Sequence, residues 1–312
     1  MKIGLGTAAI GRPQYINIKP SPTTSFELEA FRQAGLHTLD EAYAAGIRYF
    51  DTAPGYGMAE QLLIDWLERQ EDLEIEIATK WGYEYVANFD PNAEIHELKN
   101  HSLAQLEKQW KSSKALSPRL TTLQIHSATF DTGVLDDESV LQRLAELKVE
   151  HQLVIGLSCT GDNQVDVLKY ALDIQVEDQQ LFDVYQVTYN ILDQSLASII
   201  SELEDKRVVI KEGLANGRLF RNENYSNYHR LYDRLEQMAE QYDVGIDAVA
   251  LRFCLDTVDP FMVLSGAANA KQLRENLKAN TFQLTQDEIA ELKVFSQSPK
   301  AYWAERKQLS WQ

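Results

Sequence analysis

Eight short apolar runs, each set off from the next by a longer amphipathic stretch, punctuate this chain from end to end. They are Ile3–Gly6, Tyr49–Thr52, Glu76–Lys80, Thr121–His126, Val154–Ser158, Asp183–Thr188, Val208–Lys211 and Met262–Ser265. β-Branched and aromatic residues dominate them, and runs this short and this apolar read as strands buried on both faces. Helical patterns fall between them, over His37–Ala45, Ala59–Leu67, Glu94–Lys111, Glu138–Glu150, Gln164–Leu172, Ser195–Asp205 and Tyr228–Tyr242 with Ile246–Leu255; Lys271–Ala279 follows the last run. In Glu138–Glu150, for example, Val140, Leu141, Leu144 and Leu147 recur at three- and four-residue steps, with Glu138, Arg143, Glu146 and Lys148 between them. Strands alternating with helices pair in parallel through right-handed crossovers. Eight such units in 312 residues predict an α/β fold, a closed (β/α)8 TIM barrel forming a single domain over 1–312, with 281–312 as a C-terminal tail. The competing open, doubly wound sheet requires a phosphate-binding glycine fingerprint after its first strand. Gly4-Leu5-Gly6-Thr7-Ala8-Ala9 lacks the third glycine, so Gly4 and Gly6 read as close-packing positions.

Charge and composition remove several classes of partner. With 30 basic against 47 acidic residues the formal charge is −17, which argues against nucleic acid and anionic membranes. A phosphate-bearing ligand would have to be held by local backbone amides and a few placed cations. No run approaches the roughly eighteen apolar residues of a membrane helix, and the start, Met1-Lys2-Ile3-Gly4-Leu5-Gly6, has no long apolar stretch, so no secretory signal is expected and a cytoplasmic location is. Cys159 and Cys254 sit inside apolar segments and read as buried free thiols. Monomer and homodimer are both compatible with this composition.

In a barrel of this type chemistry gathers at the C-terminal ends of the strands. The second run leads from Asp51 to Tyr56, the third ends in Lys80 and the fourth in His126. An acid, a phenol, an ammonium and an imidazole on neighbouring strand ends make a complementary set. A carbonyl that accepts hydride becomes an alkoxide and needs a proton. A lysine beside a phenol is expected to lower its pKa, with an aspartate fixing the ammonium. A histidine can orient the carbonyl oxygen by hydrogen bonding. Each residue alone has an ordinary structural explanation: a helix cap, a turn aromatic, a solvated strand end, a satisfied core histidine. Four such coincidences on one rim favour catalysis.

The segment Phe50-Asp51-Thr52-Ala53-Pro54-Gly55-Tyr56-Gly57 resembles the aldo-keto reductase signature, in which four residues separate Asp from Tyr and a glycine follows. Ala78-Thr79-Lys80-Trp81 resembles the family's lysine strand, and Leu123-Gln124-Ile125-His126 its histidine strand. Ile155–Ser158, Tyr185–Asn190 and Ser265–Ala267 through Gln272–Asn276 continue the likeness in order. The resemblance implies an NAD(P)H-dependent oxidoreductase acting on a small-molecule carbonyl substrate. Tyr56 would be the proton donor, Lys80 and Asp51 its tuning pair, and His126 the orienting residue. It further implies that Ser158 and Gln186 hold the nicotinamide carboxamide. The loop Gly213, Leu214, Ala215, Asn216, Gly217 and Arg218 would wrap the pyrophosphate, and Ser265, Gly266, Gln272, Glu275 and Asn276 the adenosine end.

The chain departs from the family pattern in three respects. Cys159 stands where an asparagine usually follows the carboxamide-binding serine. Lys211, next to Glu212, stands where many members stack a tyrosine on the nicotinamide. Gly266 and Gln272 stand where a lysine and an arginine read the 2′-phosphate of NADPH, although Lys271 and Arg274 lie close by. On balance NADPH is favoured over NADH. Substrate choice in the family resides in loops, here Gly11–Thr24, Ser127–Leu135 and Ser296–Gln312. Tyr15, Trp81, Phe130 and Trp303 are candidates for an apolar pocket, and Trp303 and Trp311 equally for stapling the tail to the barrel. Two other readings compete: a nicotinamide-binding, redox-sensing regulatory subunit with little turnover, and a metal-dependent hydrolase. The second lacks His-x-His or clustered carboxylates at the strand ends, so no metal site is expected.

Overall fold

Each apolar run becomes a barrel strand. The computed structural model describes residues 1–14, 26–90 and 92–310. Its barrel strands are β1 (Ile3–Gly6), β2 (Tyr49–Asp51), β3 (Glu76–Trp81), β4 (Leu120–Ala128), β5 (Val154–Cys159), β6 (Val184–Thr188), β7 (Arg207–Lys211) and β8 (Met262–Ser265). Every strand pairs in parallel with its neighbours in sequence, and β8 returns to β1 through Ile3↔Val263 and Leu5↔Ser265, closing the barrel. Gly4 is the close-packing position expected of it, since a Cβ there would stand 2.8 Å from the Tyr49 ring. Gly6 is not, because its nearest neighbour would be an ordinary 3.5 Å away.

Alternation along the strands sorts the side chains into two environments. Outward-facing residues such as Phe50, Ile77, Leu123, Ile155 and Val187 join the helices in one large apolar cluster. Inside the barrel, Tyr49, Ala78, Val184, Val209, Met262 and Leu264 form a separate apolar plug. Further along the strands lie the buried polar side chains Asp51, Lys80, Gln124 and Gln186. The plug closes one end, so this polar layer faces the mouth where the strands finish.

Several helices differ from their sequence expectation. The first long one spans Leu28–Ala44, opened by Glu27, whose carboxylate accepts the Glu29 and Ala30 N–H groups. Its first turns bury little, so they leave no apolar periodicity to read. The expected helix Glu94–Lys111 is two elements. Glu97–Lys99 pairs antiparallel with Tyr83–Tyr85, and only Leu103–Ser113 is helical. Ser102 is the reason: its hydroxyl accepts the Gln105 N–H and fixes the helix start there. Ser195–Asp205 becomes two short 3-10 turns, Ser195–Ser198 and Ile200–Leu203, interrupted at Ile199. The tail carries two helices. Gln286–Lys293 opens on a Thr285/Glu288 capping box, and Pro299–Arg306 on Ser298. No helix among the described residues is long and apolar enough to cross a membrane.

Candidate active site

The strand ends bring Asp51, Tyr56, Lys80 and His126 together. The Lys80 ammonium donates to Asp51 Oδ1 at 2.5 Å and to the Thr52 carbonyl at 3.0 Å. Both partners are buried, at 0% and 2% side-chain exposure. Lys80 Nζ lies 4.8 Å from the centroid of the Tyr56 ring, and the Tyr56 hydroxyl stands 3.5 Å from His126 Nε2. Tyr56 reaches this place from the 3-10 turn Pro54–Tyr56 that follows β2. His126 is placed by an irregularity in β4: its register to β5 skips between Ile125 and Ala128, and Ser127 adopts a left-handed φ of +54°. The imidazole is flanked edge-on by Tyr56 and by Tyr83, whose ring centroids lie 5.3 and 4.7 Å away.

Electrostatics depart from the sequence expectation at the phenol. Burial and the Asp51 carboxylate raise the Tyr56 hydroxyl well above its ordinary value, and only Arg12 among its nearest influences pulls it down appreciably. Lys80 does not dominate, because its charge is answered by Asp51 at hydrogen-bond distance. The phenol therefore stays protonated, as a donor must. Burial, followed by Lys80, Arg12, His101 and Lys211, holds His126 well below the usual imidazole value, so it is neutral.

Sequence reasoning singled out neither Gln124, Arg12 nor Glu60, and gave Gln186 a cofactor role only. Gln186 and Gln124 donate their amide nitrogens to Asp51 Oδ2, at 2.7 and 3.4 Å. Arg12, 3% exposed, lies 5.4 Å from the Tyr56 ring centroid and bonds the Gly55 carbonyl and Glu97 Oε2. Behind the lysine strand, the buried Glu60 carboxylate accepts hydroxyl bonds from Thr79 and Ser113, and burial pushes it up to about 7. Arg12, Glu60, Gln124 and Gln186 lie on four separate stretches of the chain and meet only when the barrel closes.

The positions assigned to a cofactor fall into three groups. Ser158 and Gln186 are direct register partners on β5 and β6. The Ser158 hydroxyl accepts the Ser127 N–H at 2.8 Å, which leaves its O–H free to donate. The Gln186 nitrogen is committed to Asp51, which leaves its amide oxygen free to accept. One free donor beside one free acceptor is what a primary carboxamide requires. Cys159, at the end of β5, is fully buried, its thiol pushed up to about 12 by burial, and Cys254 is likewise buried and free. Lys211 donates to Thr188 Oγ1 at 2.9 Å and lies 5.8 Å from the Trp303 ring centroid. Burial lowers its pKa, with Glu212 opposing. Against the upward push of burial, Arg306 and Lys211 hold Glu212 down at about 2.

The loop after β7 turns sharply, with left-handed φ at Ala215 (+49°), Asn216 (+56°) and Gly217 (+86°). Gly213 packs beneath it against Leu251, and Leu214 is half-buried. Arg218 is fully buried and directed into the C-terminal helix, donating to Glu305 at 2.9 Å and to the Tyr302 carbonyl at 3.2 Å, while its Nη2 has no partner among the described residues. At the end of β8, Asn276 bridges Ser265 Oγ at 2.8 Å and Asp247 Oδ2 at 2.6 Å in the amide orientation that satisfies both. Gln272 accepts the Ala268 N–H, and Glu275 pairs with Lys278. Gly266 faces open space, where a Cβ would meet nothing within 4 Å. These positions fit a nicotinamide dinucleotide. Of the pocket aromatics, Trp81 and Trp303 are buried and Phe130 is exposed against Tyr170. Trp303 donates to Asp193, as a staple does. Tyr15, Trp311 and most of the loop Gly11–Thr24 lie outside the described residues.

The family model described as the aldo/keto reductase family matches residues 2–297. Among curated proteins the chain is 26% identical over 318 residues to an NADH-specific methylglyoxal reductase of Escherichia coli (strain K12), covering 91% of each. It is 23% identical to a norsolorinic acid reductase of Aspergillus flavus, covering 85% of this chain and 72% of that one. Among solved structures it superposes on an aldo-keto reductase from Bacillus halodurans in its holo form with a TM-score of 0.69, at 22% identity over 95% of this chain and 92% of that one. A glycerol dehydrogenase from Gluconobacter oxydans gives 0.70 at 20% identity, over 94% and 90%. These structural likenesses establish the barrel.

Proposed function

This chain belongs to the aldo/keto reductase family and is a nicotinamide-dependent oxidoreductase, and from that premise we propose that it reduces an aldehyde or ketone to the alcohol with Tyr56 as the proton donor. A bound reduced nicotinamide supplies the hydride. As the carbonyl carbon gains that hydride its oxygen becomes an alkoxide, a stronger base than any phenolate, and takes the Tyr56 proton. The raised pKa of the buried phenol keeps that proton in place until the alkoxide forms. The neutral His126 imidazole directs Nε2 at the same oxygen, and Arg12, the cation that pulls the phenol's pKa down, steadies the phenolate left behind, while Asp51 holds Lys80 in place beside the ring. The observation that carries this reading is the approach of the Tyr56 hydroxyl to His126 Nε2, 3.5 Å, over an ammonium pinned by a buried carboxylate.

Ser158 and Gln186 are proposed to hold the carboxamide, Lys211 to lie beside the nicotinamide ring, and Gly213, Leu214, Asn216 and Gly217 to line the pyrophosphate. Arg218 serves that loop from behind, through the C-terminal helix. Ser265, Gly266, Gln272, Glu275 and Asn276 are assigned to the adenosine end. For the cofactor we favour NADPH, since Lys271 is exposed next to Gln272 and makes no ion pair among the described residues. NADH is favoured by a different observation: Arg274 is already paired with Glu41, and one relative is described as NADH-specific. Fluorescence titration with both reduced cofactors decides between them, an affinity ratio above about tenfold in either direction being decisive.

Tyr56→Phe tests the central assignment. Turnover of an aldehyde panel, followed by loss of reduced-cofactor absorbance, should vanish while cofactor affinity stays within about twofold. Substantial turnover in that variant refutes the role.

A further inference from the structure

His101 lies outside the four-residue constellation and takes no part in the chemistry described above. It precedes the Ser102 cap of the helix Leu103–Ser113 and is 7% exposed. Its Nε2 lies 2.9 Å from the backbone carbonyl oxygen of His126, and its Nδ1 lies 2.9 Å from Thr132 Oγ1. A carbonyl can only accept, so Nε2 carries the hydrogen. Burial pushes this imidazole down to about 4, so at neutral pH it is uncharged and Nδ1 is an acceptor, facing a Thr132 hydroxyl whose one hydrogen is shared with the Thr129 carbonyl 3.1 Å away. One tautomer is thus selected by its partners.

The carbonyl it holds belongs to the irregular segment of β4. There the register to β5 skips, Ser127 sits in the left-handed region, and the usual ladder cannot carry the backbone groups. Two side chains take over that task. Ser158 Oγ receives the Ser127 N–H at 2.8 Å, and His101 binds the His126 carbonyl from the other side. The His101 ring is itself wedged against β3. Gly82, at φ +113°, leaves the space the ring occupies, since a Cβ there would lie 2.3 Å from His101 Cδ2. Trp81 packs its ring 5.6 Å from the His101 centroid. Gln109 completes the mount by accepting the Gly82 N–H at 2.8 Å and donating to the Tyr83 carbonyl at 2.7 Å. Tyr83 in turn flanks His126. A rigid connection therefore runs from the end of the lysine strand, through His101, to the backbone of the histidine that faces Tyr56.

We propose that His101 is a positioning residue for carbonyl reduction: through its bond to the His126 carbonyl it fixes the β4 bulge, and so aims the His126 imidazole at the Tyr56 hydroxyl. The inference rests on the reading of His126 as the residue that orients the carbonyl. It adds a neutral histidine acting at one remove, with the His126 carbonyl setting its tautomer and Gly82 making room for it. A misdirected imidazole disturbs the reaction step far more than it disturbs cofactor binding, which lies on other strands.

The test compares His101→Ala, His101→Gln, Thr132→Val and His126→Ala in the full chain, by steady-state kinetics on an aldehyde together with fluorescence titration of the reduced cofactor and thermal unfolding. His101→Ala removes the donor and should lower kcat roughly 10- to 100-fold, with cofactor affinity and aldehyde KM within about threefold of the parent. His101→Gln places an amide N–H where Nε2 stood and should recover kcat to within about fivefold, a rescue that mere packing would not give. Thr132→Val opens no large cavity and should cost kcat several-fold, which keeps the test informative if His101→Ala folds poorly. Unchanged kcat in both His101→Ala and Thr132→Val, alongside a large loss in His126→Ala, overturns the positioning role alone. So does a folded His101→Gln with no recovery. Full activity in His126→Ala instead overturns the reading of His126 beneath it.

Discussion

Glu60→Gln should stabilise this protein above neutral pH and do so much less in mild acid. Glu60 is buried behind β3, where its carboxylate accepts from Thr79 and from Ser113, the latter at 2.9 and 3.1 Å to its two oxygens. Burial raises it from the ordinary 4.5 to about 7, and the two hydroxyls and the Lys80 charge only partly offset that. The fold prefers the neutral form. The stability tied to this group is therefore fully present below pH 4.5, the unfolded value, and is lost as pH rises to about 7. At ~1.4 kcal/mol per pH unit, ionising the side chain in place costs about 3 kcal/mol by pH 8. Glutamine mimics the protonated acid: its oxygen can accept from both hydroxyls, and its nitrogen can donate to Ser113 Oγ. Thermal or urea unfolding of parent and variant across pH 5–8 reads the effect as a difference. The gap should widen from about 2 °C at pH 5 to roughly 6 °C in Tm at pH 8. A gap that does not change with pH, or a glutamine variant less stable than the parent at pH 8, refutes the account of a carboxylate held against its preference.

Other perturbations probe the site and its supports. Asp51→Asn removes the carboxylate bonded to the fully buried Lys80 ammonium, and breaking such a pair should destabilise the fold by ~3–5 kcal/mol, measured by urea unfolding. Glu305→Gln weakens the hold on buried Arg218 and should reduce cofactor affinity about three- to tenfold, with kcat at saturating cofactor unchanged. Lys211→Met removes a half-buried cation proposed to adjoin the nicotinamide. Affinity for the oxidised cofactor, whose nicotinamide ring carries a positive charge, should rise relative to the reduced form, read by comparing the two dissociation constants. An unaltered ratio would remove Lys211 from the neighbourhood of the ring.

The barrel was legible because each strand concentrates apolar residues that must be buried on both faces, a demand that survives in one dimension. The tetrad was legible for a related reason: strand ends are local, so Asp51, Lys80 and His126 announce themselves at the limits of their runs. What the sequence hid depends on three dimensions. The β4 bulge adds residues beyond the expected end at His126 without any glycine to mark it. The Glu97–Lys99 strand pairs with a partner more than ten residues upstream and was absorbed into a helical pattern that Ser102 cuts short. The Thr285–Glu288 capping box was present as letters, and its meaning emerges only once the tail is seen to pack. The expected effect of Lys80 on the Tyr56 phenol also failed. Proximity in sequence to an active-site motif says nothing about which countercharge lies nearer.

The last helix and the loop after β7 share their fixings. Arg218 reaches out of the loop to Glu305 and the Tyr302 carbonyl, while Arg306 reaches back to Glu212 at the loop's root. Residues some ninety positions apart thus set one another's shape, although only one of them belongs to a segment expected to choose the substrate. Grafting a foreign tail onto this scaffold to change its substrate range would remove two acid–base contacts at once and loosen dinucleotide grip as a side effect. A transplant that keeps an acid at position 305 and a guanidinium at position 306 would alter the pocket while leaving the coenzyme loop as it was.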